Sequence, residues 1–408
     1  MTTFTAPLIK TQKDRIPWAA LLAFAMTGFI CVITETLPAG LMPQMAAGLS
    51  ISTAFAGQMV TAYALGSLLA AIPLTIATKG WRRRKVLLAT IIGFLVFNTV
   101  TALSSNYWLT MTARFFAGVS AGLAWSLIAS YARRMVPVDL QGKALAVAMV
   151  GTPIALSLGV PLGTLLGVAM GWRSAFIVMS VLTSGLIVWV LAKVPDYPGQ
   201  ANHERLALRK VFKTPGVRPV LSVVVTWMLA QNILYTYIAP FVAQAGLTSH
   251  VDIVLLTFGV AALAAIGVTG RLVDHHLRVA VLASLAVFAG VALLFAWNST
   301  SPAVVYIGVA VWGLTFGGAA TLLQTALADT AGNGADVALS MNVVAWNGAI
   351  AGGGLLGGVL LETRGVSSFA PVLVLLLAIG FAIAWMAKRH GFKPGSRQGH
   401  SFNNGTGL

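Results

Sequence analysis

Ten carboxylates occur among the 408 residues, at Asp14, Glu35, Asp139, Asp196, Glu204, Asp252, Asp274, Asp329, Asp336 and Glu362. Nine fall between apolar runs or at their ends, and Glu35 alone lies well inside one. Of 26 Lys and Arg residues, Arg114 alone holds a comparable position. The six histidines (His203, His250, His275, His276, His390, His400) sit in connections or tails. That inventory limits the chemistry. It supplies no buried metal-ligand set, no nucleophile–base pair, no carboxylate pair and no G-x-x-x-x-G-K-[ST] phosphate loop. No enzyme activity, metal or cofactor is expected. One carboxylate and one guanidinium can instead hold and release a proton, because burial disfavours a charged carboxylate and a nearby cation favours it.

The elements that must position these two residues follow from composition. Hydrophobic residues make up 58% of the chain and charged ones 9%, against about a quarter charged in a soluble globular protein. Apolar runs long enough to cross the ~30 Å hydrocarbon core of a bilayer occupy 17–43, 53–78, 86–104, 107–133, 142–170 and 173–193, then 218–245, 251–272, 278–297, 302–328, 337–361 and 367–388. The expectation is an all-α membrane protein of twelve spans, with no cleaved leader. The net charge of +16 does not mark a nucleic-acid partner. Of the 26 basic residues, 23 fall in the tails and even-numbered connections, and two, Arg173 and Arg364, in the odd-numbered ones. By the positive-inside rule this puts both termini in the cytoplasm, with Asp329–Asp336 an acidic exception. The expected organisation is a bundle over 1–193, a linker over 194–217 rich in Pro and basic residues, a second bundle over 218–390, and a tail over 391–408.

Glu35 and Arg114 lie about eight and seven residues from the same end of their runs, which is roughly 10–12 Å at ~1.5 Å per residue. An ionisable group at that depth marks function by default. Glu35 is therefore expected to be the protonation site, with Arg114 tuning it; a static ion pair or a hydrogen bond to backbone is the plainer alternative. Arg114, Gly118, Gly122 and Trp125 share one helical face, where the glycines either make room for a ligand or allow close helix packing. Amides and rings well inside other runs are candidate substrate contacts: Gln58 and Tyr63, then Gln231, Asn232, Tyr235 and Tyr237, then Asn342, Trp346 and Asn347, together with Trp125. They suit hydroxyls and ring faces of a small ligand, and equally suit hydrogen bonding between helices.

The two halves also repeat. Gly118 and Gly122 recur as Gly313 and Gly317, 195 residues on, and Leu162, Gly163 and Gly171 recur as Leu356, Gly357 and Gly365, 194 residues on. The stretch from Pro73 corresponds to that from Gly270 at an offset of 197. Duplicated halves place a ligand site at their interface, reached by rocking one half against the other.

Four stretches resemble the major facilitator superfamily, specifically its twelve-span drug/proton antiporter branch and the bacterial sugar and arabinose efflux-type transporters within it. They are Thr34-Glu35-Thr36-Leu37-Pro38-Ala39-Gly40-Leu41, the basic turn Gly80-Trp81-Arg82-Arg83-Arg84-Lys85, Arg114-x-x-x-Gly118-x-x-x-Gly122, and Gly159-Val160-Pro161-Leu162-Gly163. The last is similar to the antiporter motif of that branch; from spacing alone it is a bend and a close-packing feature. The resemblance implies two pseudo-symmetric six-helix bundles in a bacterial inner membrane. It implies a monomer using protons to export a sugar-like or amphiphilic small molecule, with proton-coupled uptake of a small neutral solute as the alternative. It also implies gating roles for Gly159, Pro161, Gly163, Arg84 and Asp274. One departure stands out: the acid usual after the second span is replaced at Ala77 or Thr78 and kept only in the second copy, as Asp274. Such an acid can latch a helix N-terminus of the other half.

Overall fold

The computed structural model describes residues 16–395 apart from 79, 138, 139 and 200–207, and leaves the side chains of 141–143, 274, 333 and 336 undescribed. The middle of the linker and most of the tail therefore lie outside the described residues, as does the Asp274 side chain. Among the described residues there is no strand, and 12 helices are long and apolar enough to cross a membrane. Spans 1 to 6 are Trp18–Gly40, Thr53–Ala77, Arg83–Leu103, Tyr107–Arg134, Ala144–Met170 and Trp172–Lys193. Spans 7 to 12 are Val217–Thr236, Thr248–Val273, His275–Asn298, Pro302–Ala331, Val337–Arg364 and Val366–Met386. Every predicted span is present, and with an even number of crossings the first and last spans have their terminal ends on one face.

The differences lie where a continuous apolar run hides a change of direction. Beyond span 1, the end of the first expected run and the connection after it form a short helix, Met42–Leu49, closed by Ser50 in the left-handed region (φ 55°). Span 7 breaks at Tyr237 and resumes as Ile238–Ala243. Spans 8 and 9 are continuous in hydrogen bonding but broken at His276, whose φ and ψ (−135°, 32°) are not helical. Span 5 contains a π-helical turn, Ala155–Gly159, just before Pro161. Such turns take up an extra residue inside an α-helix. The linker contributes a five-residue helix, Leu208–Phe212.

Packing confirms the duplication in atomic terms. A Cβ on Gly118 would lie 1.9 Å from the Tyr63 carbonyl oxygen, and one on Gly122 would lie 2.4 Å from that of Ser67. In the second half, Gly313 meets the Phe258 carbonyl (2.5 Å) and Gly317 the Ala262 carbonyl (2.0 Å). Both the glycines and the residues they touch are offset by 195. Spans 4 and 10 therefore press backbone to backbone on spans 2 and 8, which only glycine permits. In span 5, Gly151, Gly159 and Gly163 meet span 1 at Ala25, Ile33 and Leu37, and Gly167 meets Leu41 just beyond its end.

Two seams join the halves. Span 5 of the first half meets span 8 of the second, where Gly259 lies on Leu156 and Ser157; span 2 meets span 11, where Gly354 lies on Thr61. The hydrogen bonds described between the halves gather toward the face opposite the termini: Ser52 to Glu362, and Gln58 with Tyr237 and Gly354.

Candidate functional site

Span 1 is the most enclosed span, and Glu35 is one of its few partly accessible residues. Its neighbour Thr36 lies beside the Tyr235 hydroxyl of span 7, without a hydrogen bond of good geometry there. Glu35 thus stands where the first half faces the second. Its carboxylate has no hydrogen-bond partner and forms no ion pair among the described residues.

Arg114 is wholly buried and held by backbone. Its Nη2 donates to the Glu35 carbonyl (3.3 Å) and its Nε to the Met59 carbonyl (3.5 Å). The guanidinium carbon lies 5.1 Å from the centre of the Tyr63 ring and 5.8 Å from that of Phe176, within the range of cation–π attraction. Tyr63 is buried too and donates to the Cys31 carbonyl at 2.9 Å. Glu35 and Arg114 do meet, as their depths predict, but through a main-chain oxygen. The arrangement fixes the backbone at Glu35 while leaving its carboxylate near Arg114 without an ion pair to it. Arg114 Nη1 has no partner.

The amides and rings fall into three groups. Gln231 and Tyr235 belong to a buried cluster of the second half: Gln231 Oε1 accepts from Trp312 Nε1 at 2.6 Å. Trp312 packs against Phe258 (centroids 4.4 Å) and Phe288 (5.9 Å), with Tyr235 5.4 Å from Phe258. Gln58 and Tyr237 are tied into the contact between spans 2, 7 and 11. Trp125, Asn232 and Trp346 are half-buried, and Asn342 and Asn347 more deeply so. Asn232 and Asn347 each donate their side-chain N–H to the carbonyl four residues earlier (2.8 and 2.9 Å), which leaves their amide oxygens as acceptors. The Asn342 Oδ1 is buried without a partner.

Of the expected gating residues, Gly159 and Gly163 lie against span 1 and Pro161 opens the helix that follows the π turn. The Arg84 side chain donates to the Val194 carbonyl at 3.5 Å, and its backbone N–H to Asp196 at 3.2 Å. Asp196 escaped the sequence reading. It pairs with Arg82 and anchors the basic turn from the start of the linker, on the half that lacks an acid after its second span. Burial raises its carboxyl, but hydrogen bonds from the Arg82 side chain and Arg84 amide, with both cations nearby, hold it below the usual carboxylate value. Also missed were Asn98, which donates to the Thr34 hydroxyl at 3.0 Å beside Glu35, and Trp312. Each is a polar-tipped side chain inside an apolar run, and that signal was present in the sequence.

Residues 24–354 match the sequence profile of the Major Facilitator Superfamily. The purine ribonucleoside efflux pump NepI of Shigella sonnei is 29% identical over 373 residues, covering 89% of this chain and 93% of the pump. The NepI pump of Escherichia coli matches with the same identity and coverage. Among solved structures, a bacterial homolog of the human lysosomal transporter Spinster, in an inward-facing and occupied conformation, superposes with a TM-score of 0.72 at 13% identity. It covers 91% of this chain and 96% of its own.

Proposed function

The chain belongs to the Major Facilitator Superfamily of membrane transporters, and on that premise we propose that it exports a purine ribonucleoside, or a neutral solute of similar build, in exchange for protons. The observation that carries this reading is a half-buried carboxylate, Glu35, facing the second half in a chain whose relatives are named nucleoside efflux pumps. A carboxylate that protons can reach, beside a fixed guanidinium, can bind a proton in one conformation and release it in another. The half-buried Trp125 and Trp346 offer faces to a flat base. The amide oxygens of Asn232 and Asn347 suit the donors of a ribose or an exocyclic amine. Arg114, the cation deepest within a span among the described residues, is wholly buried and offers no exposed charge to a phosphate. A nucleoside also combines the sugar-like and ring-bearing features the sequence suggests. The strong bias of basic residues supports cytoplasmic termini, and the bacterial relatives support an inner-membrane location.

The test uses inverted membrane vesicles given a pH gradient, interior acid, with radiolabelled adenosine, inosine and a nucleoside monophosphate. Nucleosides accumulate, a protonophore abolishes the accumulation, and the monophosphate neither accumulates nor competes. Nucleoside flux that ignores the gradient rejects proton coupling. Flux of sugars or amphiphilic drugs but no nucleoside rejects the substrate class.

A further inference from the structure

Tyr237 interrupts span 7: its φ and ψ of −106° and 30° separate Val217–Thr236 from Ile238–Ala243. Its side chain is completely buried, yet it is wedged between two halves that must separate for transport. The slot is walled by glycine. A Cβ on Gly57 of span 2 would lie 2.4 Å from the Tyr237 hydroxyl; one on Gly357 or Gly358 of span 11 would lie 2.7 Å from the ring or the hydroxyl. Any side chain at these places displaces the ring.

The hydroxyl is bound on both sides. It accepts from Gln58 Nε2 of span 2 at 3.1 Å and donates to the Gly354 carbonyl of span 11 at 2.8 Å. Gln58 also donates to the Gly354 carbonyl at 3.2 Å. At the rim beyond them, the Ser52 hydroxyl donates to Glu362 at 3.1 Å. The pseudo-equivalent seam, between spans 5 and 8, has no hydrogen bond across it among the described residues. There Gly259 lies on Leu156 and Ser157, a packed surface able to slide. Among the described residues, polar closure is confined to one seam.

We propose that Tyr237 is the bolt that keeps the face opposite the termini shut. In this proposal, opening withdraws it from Gly57 and Gln58 while it stays attached to Gly354 within its own half. The Gln58 amide oxygen is buried without a partner in the closed state. Closure therefore gives up part of what its hydrogen bonds contribute, and water reaching that oxygen on opening offsets their loss. A lock balanced in this way can cycle.

The inference rests on the alternating access of a transporter but on no particular solute, so it is tested without one. A single cysteine replaces Thr36, which is partly accessible between the halves, in a Cys31→Ser background that removes the one native cysteine. Its labelling by a membrane-impermeant maleimide is compared in right-side-out and inverted vesicles. With Tyr237 intact, labelling comes mainly from the face that carries the termini. Tyr237→Phe keeps the ring and loses its hydroxyl bonds; labelling from the opposite face rises ~3- to 10-fold, the worth of about one net hydrogen bond. Gly358→Ala unseats the ring and raises it further. Gly267→Ala, where a Cβ meets open space, leaves it unchanged. Labelling from the opposite face that stays at the parent level in Tyr237→Phe overturns the proposal. That isosteric variant decides the matter even if Gly358→Ala fails to insert. An equal rise in Gly267→Ala overturns it as well. Absence of nucleoside transport would leave these rates untouched.

Discussion

An offset of 195 carries Gly118 and Gly122 onto Gly313 and Gly317, but it carries Arg114 onto Val309, Tyr63 onto Phe258 and Glu35 onto Ala230. The two halves share a backbone and fill it differently. In the first, spans 1, 2 and 4 surround a guanidinium bound by main-chain carbonyls. In the second, the matching space is taken by rings around Trp312, with Gln231 accepting from the Trp312 indole N–H. A buried cation is costly unless its donors are satisfied, whereas an aromatic cluster is stable without exchange of anything. The difference teaches that duplicated helices need not duplicate chemistry: one half encloses a buried cation next to a carboxylate-bearing turn, the other a packed aromatic cluster. In the proposed function the first handles the proton and the second is a rigid counterface.

The sharpest way to break that division is Glu35→Gln. Accumulation driven by a pH gradient should fall to the background of empty vesicles, while nucleoside binding persists by calorimetry. Coupled accumulation in the variant would mean that the proton is handled elsewhere.

Next in size is a paired substitution at the shared glycines. Gly118→Ala should lower stability by about 1–3 kcal/mol, as overpacking does, because its new methyl meets the Tyr63 carbonyl at 1.9 Å. Gly313→Ala should cost less, since the matching approach to Phe258 is 2.5 Å. Thermal melts of the two purified variants check the order; the reverse order would mean that the first half yields more easily than its contacts suggest.

Within the counterface, Gln231→Leu strands the Trp312 N–H and should cost about 1–2 kcal/mol with little change in the pH profile of transport. A shifted pH profile would bring the second half into proton handling.

The smallest effect belongs to Asp196→Asn at the basic turn, under about 1 kcal/mol for so exposed a pair. Because Asp196 titrates below its ordinary value, its contribution is present above the unfolded value near ~4 and is lost as pH falls through the folded one. The variant should melt below the parent at neutral pH, and the two should converge in strong acid. A gap that persists there would assign the effect to packing.

Much of this architecture was legible in one dimension. A membrane span is a property of about 20 consecutive residues, so all twelve could be read without knowing their neighbours. Glu35 and Arg114 were legible for the same reason, as lone charges in apolar runs. How they meet was not. Depth along two helices leaves their rotation free, and rotation decides whether Arg114 finds the carboxylate or the carbonyl. Gln58 and Tyr237 have the residue types of a binding pocket and stand in a seam, which only the docking of the halves determines. With 42 glycines in the chain, spacing could not single out Gly57 and Gly358 as the walls of a slot.

The π turn in span 5 has a consequence for chain length. Eight residues of plain α-helix would leave Gly159 turned about 80° from Gly151, yet both lie on span 1. The wider turn at Ala155–Gly159 absorbs one residue and restores their common side. Removing one residue there would leave regular α-helix with both flanks still facing span 1. The same deletion a turn away on either side would rotate one flank about 100° toward lipid. Among the described residues of the twelve spans, this is the place where a π turn holds a spare residue in reserve.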